Sequence, residues 1–298
     1  MADVRDRILV VGDIMNDVVV VPRGEIIPDT DTESQVRPRP GGSAANTAAW
    51  LGSLGAPVDF VGSVGNADAE NHAELFRVGG VTPHLQVELG LPTGTIVILV
   101  RGEERTMLTE RGANAALSGA TVTDELLDGA AVVHMSGYAI VKDRGSGAAL
   151  DIMRRAQARG IPVSVTTGSA GYLAQHGEGQ FLAEISGSEI LIANLAEGRL
   201  LTGESDPMKI GAALSRHAPI VILTSGSLGA ALFRPGVAPV EVPAPPVAKL
   251  IDTTGAGDAL AAGFLSHWVA SRDPEAALRS AMNVAARAVM LIGGRPPL

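Results

Sequence analysis

The most informative stretch of the chain reads DTTGAGDALAAGFL and spans Asp252–Leu265. The small residues that follow Gly255 and Gly257 predict a helix over about Ala256–Ala270. The N-terminus of a helix presents unpaired backbone amides and a partial positive charge, and both attract anions. Glycine in the preceding turn lets the backbone approach a phosphate closely. The stretch therefore predicts an anion site at the start of this helix.

Asp258, at the start of the same helix, indicates which chemistry the anion site could perform. A carboxylate repels a neighbouring phosphate, so its presence is explained if it acts as a base on a hydroxyl that attacks the phosphate. A phosphoryl acceptor needs such a base. The alternative interpretation is that Asp258 is an ordinary acidic residue in the first turn of a helix.

A second glycine-rich stretch, Gly41–Asn46, also precedes small residues and predicts a helix over Ser43–Leu54 with Ser43 as its N-cap. Asn46 lies about one turn into this helix, where its amide can bind a ligand hydroxyl or can simply be exposed. Asp17 follows the first strand, and its carboxylate can accept two sugar hydroxyls. A plain turn residue is the alternative for Asp17.

Two further motifs follow predicted strands. Asn194 and Glu197 are three residues apart and share one helix face, so their oxygens can serve a hydrated Mg²⁺ near phosphates. A helix cap in which Glu197 is the capping-box partner of Asn194 explains the same spacing. The Gly/Ser loop Thr224–Gly229 suits a nucleotide, but it also suits any turn.

Composition excludes several classes of protein. The 298 residues contain no cysteine, which rules out disulfides, thiol nucleophiles and thiolate metal sites. Lys and Arg number 23 against 32 Asp and Glu, a net charge of −9, and aromatic residues are 3%. Nucleic acid is therefore a poor partner. No apolar run reaches the roughly 18 residues that a membrane span needs. We expect a cytoplasmic protein with neither a nucleic-acid nor a membrane partner.

Two common nucleotide motifs are missing from the sequence. None of Lys142, Lys209 and Lys249 follows a glycine, so there is no Walker A loop. The residues after Gly12 do not form the glycine fingerprint of dinucleotide-binding folds. Any phosphate site must therefore be built in another way.

Short apolar strands alternate with helical stretches, which predicts an α/β fold with a parallel sheet in one domain over residues 1–298. The predicted strands are Ile8–Val11, Val58–Val64, Ala131–Met135, Pro162–Val165, Glu189–Ile192 and Ile220–Leu223, with an edge hairpin in Phe233–Val247. The predicted helices are Ser43–Leu54, Ala67–Val78, Gly147–Arg159, Phe181–Ile185, Pro207–His217, Ala256–Ala270 and Pro274–Ile292.

Two polar, strand-like segments, about 16–40 and 86–112, do not follow this alternation. The first contains Val18–Val21, and the second predicts a hairpin of Thr95–Val100 and Arg105–Thr109 around a turn at Arg101–Glu104. We expect the two segments to pair into a small sheet that covers one edge of the body.

Together and in this order, the motifs resemble those of the PfkB (ribokinase-like) family of carbohydrate and nucleoside kinases. Gly41–Ala48, with Gly55 and Gly65 downstream, resembles the first family signature, and Asp252–Leu265 resembles the second. Arg111–Ser118 is similar to the segment that returns from the family's lid. The resemblance covers about residues 8–295. It implies a doubly wound sheet with helices on both faces and a small β-sheet lid.

The resemblance implies ATP and Mg²⁺ as cofactors and assigns a role to each motif. Asp258 would be the catalytic base, and Gly255, Ala256 and Gly257 would form the anion hole. Asp17, Gly42 and Asn46 would bind the acceptor. Asn194 and Glu197 would serve Mg²⁺ and phosphates, and Thr224, Gly226 and Gly229 would line the nucleotide site. A monovalent cation such as K⁺ is also implied, with Asp252 and Thr254 matching its ligand positions.

The acceptor is open between a simple sugar of the ribose, fructose or keto-sugar-acid class and a nucleoside, and a non-catalytic binder is the alternative to an enzyme. Ser43 replaces the lysine usual in ribokinases, and Ser136-Gly137-Tyr138 is more similar to fructokinases and nucleoside kinases. Phe60 and Tyr138 are the aromatic residues expected near the pocket. Arginines expected in or near the lid, either solvated or binding a phosphorylated acceptor, are Arg37, Arg39, Arg101, Arg105 and Arg111. Val18–Val21 would pair lids in a homodimer or pack on its own body.

Overall fold

The computed structural model describes residues 5–101, 104–141 and 147–298. A nine-stranded sheet forms its centre, with the strand order β13-β12-β11-β10-β9-β8-β1-β4-β5. Seven strands from β5 to β11 in this order are parallel, and β12 is antiparallel to both of its neighbours. The strands of this sheet are β1 Arg7–Val11, β4 Val58–Gly65, β5 Thr82–Glu88, β8 Ala130–Ser136, β9 Val163–Thr166, β10 Ile190–Asn194, β11 Ile220–Thr224, β12 Ala230–Arg234 and β13 Val237–Val242.

Helices cover both faces of the main sheet, which confirms the predicted doubly wound fold. Side chains alternate along a strand, so Ile8 and Val10 of β1 enter one core while Leu9 and Val11 enter the other. Helices α1, α2, α10 and α11 pack on the first core, and α3 to α9 pack on the second. The helices are α1 Ser43–Ser53, α2 Ala69–Val78, α3 Asp124–Asp128, α4 Gly137–Val141, α5 Ala148–Ala158, α6 Ala170–His176, α7 Glu178–Glu184, α8 Leu195–Thr202, α9 Pro207–Leu214, α10 Ala256–Ser271 and α11 Pro274–Ala288.

The two segments outside the alternation do form a second, smaller sheet. Its four strands follow the order β3-β2-β6-β7, and only the central pair, β2 with β6, is parallel. They are β2 Met15–Pro22, β3 Ser34–Gly41, β6 Gly94–Arg101 and β7 Glu104–Glu110. The predicted lower bound of 86 for the second segment is wrong, because residues 86–88 pair with β4 in the main sheet. Gly102 and Glu103 of the predicted turn lie outside the described residues.

Most other differences from the expected elements are shifts at element ends. Helices α3, α4, α6 and α8 were not among the predicted helices. Helix α11 ends at Ala288 rather than at Ile292. The carbonyl of Val289, directly after the helix, accepts the backbone amides of Ile251 and Asp252. Across the described residues, no helix is both long and apolar enough to cross a bilayer.

Candidate active site

A cavity of about 690 Å³ lies between the two sheets, at the carboxyl ends of the parallel strands. Ligands bind at this end of the strands in open α/β sheets. The small sheet supplies apolar lining from Ile96, Ile98 and Met107. Ten residues singled out from the sequence line this cavity: Asp17, Gly42, Asn46, Asn194, Glu197, Thr224, Thr254, Gly255, Gly257 and Asp258. Of the other four, Gly226, Gly229 and Asp252 lie in the adjoining turns, and Ala256 is the first residue of α10.

The turn before α10 has the geometry that the sequence predicts. Gly255 has a φ of +75° at the N-cap of the helix. A Cβ atom there would lie 2.4 Å from Cα of Gly294, so only glycine fits this turn. A Cβ atom on Gly257 would have no neighbour within 4 Å. The first turn of α10 is thus tightly packed on one side and open at Gly257.

Two side chains from the stretch Gly41–Asn46, those of Ser43 and Asn46, form hydrogen bonds with Asp258. Its Oδ1 accepts a hydrogen bond from Ser43 Oγ at 2.7 Å, and its Oδ2 accepts one from Asn46 Nδ2 at 2.9 Å. Burial raises the pKa of Asp258 to about 7; the bonds from Ser43 and Asn46 oppose this rise, and the negative charges of Asp13 and Asp17 add to it. Asp258 is therefore a carboxylate whose pKa lies close to neutral pH.

The expected cap at Ser43 is wrong, and the correction identifies a residue that the sequence reasoning missed. Ser43 is the first residue of α1, and Gly42, with a φ of +94°, occupies the N-cap. The carboxylate of Asp13 accepts the backbone amides of Ser43 at 2.6 Å and Ala44 at 3.2 Å. Asp13 thus replaces the serine cap, which leaves the Ser43 hydroxyl free to bind Asp258. The signal for Asp13 was its position directly after the first strand.

Asp17 lies on the face of the small sheet that lines the cavity. Its side chain is buried, and its Oδ1 has no hydrogen-bond partner among the described residues. Burial raises the pKa of Asp17 to about 6, with Arg295 opposing the rise and Asp13 adding to it. A buried acceptor oxygen without a donor can bind a ligand hydroxyl.

Asn194 and Glu197 form the capping box that was the alternative interpretation of their spacing. Asn194 Oδ1 accepts the amide of Glu197 at 2.9 Å, and Glu197 Oε2 accepts the amide of Asn194 at 2.9 Å. Thr167 Oγ1 also donates to Glu197 Oε2. Burial raises the pKa of Glu197. Both residues still line the cavity, so the cap also holds their polar groups at its wall.

Asp252 is bonded within its own turn and to the segment after α11. Its Oδ1 accepts the amide of Thr254 at 2.9 Å, and its Oδ2 accepts the amide of Gly293 at 3.0 Å. Among the described residues, no group of three His, Asp or Glu side chains is arranged to hold a metal ion.

The aromatic lining differs from the expected one. Phe60 is fully buried in the core, where its ring stacks on Phe76, so its expected place near the pocket is wrong. Tyr138 does line the cavity, and it packs edge-on against Tyr172 with ring centroids 5.7 Å apart. Tyr172 was missed because it lies in α6, a helix that the sequence pattern did not predict.

Of the five arginines considered for a phosphorylated acceptor, Arg111 lines the cavity. Arg37, Arg39 and Arg101 are exposed on the small sheet. The side chain of Arg105 lies outside the described residues. These positions leave Arg111 as the arginine at the cavity wall.

The model of the pfkB family carbohydrate kinases matches residues 5–298, so the chain belongs to that family. The bifunctional protein HldE of Pseudomonas fluorescens is 31% identical over 272 residues, covering 84% of this chain and 53% of the relative. The chain thus spans about half the length of that relative.

Two relatives are covered over most of their own length. The ATP-dependent ribose-1-phosphate kinase of Halopiger xanaduensis is 29% identical over 281 residues, covering 92% of this chain and 89% of the relative. The crystal structure of adenosine kinase from Sinorhizobium meliloti superposes with a TM-score of 0.89 at 25% identity, covering 99% of this chain and 97% of that one. The names of these two relatives describe a sugar-phosphate kinase and a nucleoside kinase.

Proposed function

We propose that the protein transfers the γ-phosphate of ATP to a hydroxyl of a small sugar and that Asp258 is the general base. The observation that carries this proposal is the position of Asp258. It lies in the first turn of α10 beside Gly255 and Gly257, and it is bonded to Asn46 from the opposite wall of the cavity. An acceptor hydroxyl held at Asn46 would lie between the base and the phosphoryl group.

The protonation chemistry of Asp258 supports this role. A general base works best when its pKa lies near the operating pH, and burial raises the pKa of Asp258 to about 7. Asp258 would take the proton of the acceptor hydroxyl as that oxygen attacks the γ-phosphorus and ADP leaves. Ser43 and Asn46 hold the carboxylate in one orientation, so the reaction needs little reorganisation.

The other motifs would position the two substrates. Asp17, Gly42 and Asn46 would bind the acceptor hydroxyls. The first acceptor atom would be Oδ1 of Asp17, which has no partner in the part of the chain that the structure describes. Gly255, Ala256 and Gly257 would hold the transferred group through the start of α10, since a helix N-terminus stabilises negative charge without lysine. On the nucleotide side, the proposed residues are Asn194, Glu197, Thr224, Gly226 and Gly229.

Mg²⁺ would be held mainly by the ATP phosphates, with Glu197 reaching it through water. The two bonds of Glu197 described above use Oε2, so Oε1 is the oxygen proposed for this contact. When bound, Mg²⁺ neutralises phosphate charge. We further propose a K⁺ ion beside Asp252 and Thr254, in the turn that leads to Gly255.

A phosphorylated sugar is a second candidate acceptor. Arg39 pairs with Asp17 across β3 and β2, and cross-strand partners share one sheet face. Arg39 therefore lies on the face that carries the proposed acceptor residue, and Arg111 lines the cavity. Arginine is well suited to bind a phosphate. A relative named as a ribose-1-phosphate kinase supports the same candidate.

The test is ATP consumption with Mg²⁺ and K⁺ across an acceptor panel. The panel contains ribose, fructose, 2-keto-3-deoxygluconate, ribose 1-phosphate, fructose 1-phosphate, adenosine and cytidine, and the control is Asp258→Asn. Turnover with one acceptor that falls 10²–10⁴-fold in the variant, the usual range for a lost base, supports the proposal. A nucleoside as the best acceptor replaces the sugar assignment. ATP binding without turnover on any acceptor favours a non-catalytic binder.

We also propose that the small sheet pairs two copies of the chain. Val36 and Leu108 are 58% and 60% exposed. Strand register places them on the face opposite to Asp17, together with Val18, Val20 and Val97. An apolar, partly exposed sheet face of this kind is typical of a protein–protein contact.

A further inference from the structure

The segment Gly293–Arg295 contacts both glycine-rich signatures, although no sequence motif led to it. The Gly294 carbonyl accepts a hydrogen bond from Trp50 Nε1 of α1 at 2.9 Å. The Gly293 amide donates to Asp252 in the turn before α10. A Cβ atom on Gly294 would lie 2.3 Å from Asn46 Nδ2. The segment is therefore packed between α1 and the start of α10.

Arg295 uses this placement to bind Asn46 and the end of β3. Its Nε donates to Asn46 Oδ1 at 3.3 Å, and its Nη2 donates to the Gly41 carbonyl at 2.9 Å. Its guanidinium lies 5.0 Å from the ring centre of Phe76, within the range of a cation–π contact. The arginine is thus fixed on three sides by α1, β3 and α2.

These bonds determine which way the Asn46 amide faces. Arginine has only donors, so the amide must present its oxygen to Arg295. Its amino group then faces Asp258, to which Nδ2 donates at 2.9 Å. A continuous hydrogen-bonded path runs from Arg295 through Asn46 to the proposed base.

Arg295 also faces several charged groups. Asp13 follows β1, Asp17 lies in β2 and Asp258 lies in α10, and all three interact with the guanidinium charge. His72 of α2 faces it as well; burial lowers the pKa of this histidine, and Arg295 lowers it further. Burial lowers the pKa of Arg295 to about 10, and the three carboxylates oppose that change. Arg295 therefore remains charged at neutral pH and favours the ionised carboxylates.

We propose that Arg295 is a positioning residue for the phosphoryl transfer: it orients the Asn46 amide toward Asp258 and provides a positive charge beside three carboxylates. The inference rests on the proposed function for the meaning of Asp258 as a base. It does not require Arg295 to touch either substrate, because Arg295 is not among the described residues that line the cavity and acts through Asn46 and through its charge.

The activity test compares Arg295→Met, Arg295→Lys and the control Arg287→Met. Methionine keeps the aliphatic stem and removes the charge and the donors. Arg287 is an exposed arginine of α11 whose guanidinium lies 5.7 Å from the Trp50 ring centre, so its variant removes a comparable ring contact. In Arg295→Met we expect kcat/KM for the acceptor to fall about 10–100-fold, since small misplacements at a reacting centre have effects of this size.

The pH profile separates positioning from mere support of the fold. Without the cation, the acid limb of kcat/KM should move up by about one pH unit in Arg295→Met. Arg295→Lys should keep the position of the acid limb, because it keeps the positive charge. It should still lower the rate, because an ammonium group cannot make the two bonds that Nε and Nη2 make to Asn46 and Gly41. If Arg295→Met melts at a lower temperature but the acid limb of its kcat/KM profile does not move, the proposal is overturned.

A measurement without turnover keeps this inference separate from the proposed function. Carboxyl ¹³C signals of aspartate are titrated in each protein, and the Asp258 signal is assigned by its absence in Asp258→Asn. If no acceptor reacts, the proposed function fails, but an upward shift of the Asp258 titration in Arg295→Met still supports the role of Arg295. An unchanged titration overturns it.

A double-mutant cycle decides the case in which Arg295→Met does not fold. In that case Arg295→Lys is combined with Asn46→Ala. An arginine that acts through Asn46 predicts that the Arg295→Lys effect largely disappears in the Asn46→Ala background. Additive effects would show that Arg295 does not work through this amide and would overturn the proposal.

Discussion

At the scale of single residues, Asp258 combines a role that needs a charge with surroundings that disfavour one. Burial and the neighbouring Asp13 and Asp17 raise its pKa, while bonds from Ser43 and Asn46 restrain the rise. The result, about 7, places a proposed base near the pH at which it would work. The pKa of Asp258 therefore depends on the neighbouring carboxylates Asp13 and Asp17 as well as on its own burial.

The first prediction concerns the pH dependence of the reaction. A base works only when ionised, so kcat/KM for the acceptor should fall about tenfold per pH unit below a midpoint near 7, the pKa of Asp258, and level off above it. The measurement is a rate profile from pH 5.5 to 9 at saturating ATP. A flat profile down to pH 5.5 would remove Asp258 from the role of base.

The second prediction concerns the stability of Asp258→Asn. The folded-state pKa lies above the unfolded value of 3.8, so the folded state binds this proton more tightly. The stabilisation is complete below the unfolded pKa and is lost as pH rises through about 7. Asparagine has no charge to bury, so the inactive variant should melt at a higher temperature than the native protein at pH 8.

The control for that experiment is Asp31→Asn, which removes an exposed carboxylate in the turn between β2 and β3. Its melting temperature should follow the native protein at both pH values. The gain in Asp258→Asn should shrink at pH 5, where the native carboxyl is already protonated. An equal gain at pH 5 and pH 8 would contradict a buried carboxylate as its cause.

The sequence motifs located Asp17, Asn46 and Asp258 because each follows a strand or opens a helix beside glycine. Asp13 and Arg295 could not be found in this way. The bond from Asn46 to Arg295 joins residues 249 positions apart, and the one from Ser43 to Asp258 spans 215 positions. Local patterns carry no information on such pairs, and they are decided by how α1 and the segment after α11 pack.

At the scale of elements, the start of helix α10 contains two glycines, Gly255 and Gly257, that have different roles although only one residue separates them. Gly255 needs a left-handed conformation and has no space for a Cβ atom. Gly257 is followed by Asp258 within the helix and has open space on the cavity side. One glycine therefore serves the turn, and the other leaves room for a ligand.

The third prediction follows from this contrast. Gly255→Ala should lower the free energy of unfolding by at least about 1–2 kcal/mol, because the left-handed conformation disfavours any Cβ atom and this one would also meet Gly294. Gly257→Ala should fold normally and lose phosphoryl transfer, since the added methyl group enters the cavity. Denaturant unfolding and steady-state kinetics on both variants test the two halves.

The matched pair makes the outcome decisive. Equal stability losses in both variants would mean that α10 does not begin with Gly255 in a left-handed conformation at its N-cap. Full activity in Gly257→Ala would argue against a phosphate at this turn. The glycines and small residues at its start predicted that α10 exists and where it begins. They did not predict the packing of Gly294 against it.

At the scale of the whole molecule, the cavity exists because a second sheet is built from two separate stretches of the chain. Alternation of strands and helices predicted the main sheet, and the two segments that broke the alternation predicted the small one. The edge strand β5 was missed because Thr82–Glu88 is only partly buried and mixes polar with apolar residues. The boundary between the sheets therefore shifted from residue 86 to Gly94.

The fourth prediction concerns pairing of two chains through the outer face of the small sheet, the side that carries Val36 and Leu108. We expect a dimer by light scattering after size exclusion and a shift toward monomer in Val36→Glu with Leu108→Glu, because buried charge opposes an apolar contact. Leu89→Glu is the control, since Leu89 is 87% exposed in the loop after β5. Both proteins must keep the native circular dichroism spectrum.

The kinetics of the same variants connect pairing with function. The strands that would meet a second copy also carry Asp17 and Ile98 on their cavity face. A dimer would restrict motion of this sheet, so loss of pairing should raise KM for the acceptor more than KM for ATP. A native protein that is monomeric at micromolar concentration would contradict the dimer and would leave the outer face as the solvent side of a sheet that covers one active site.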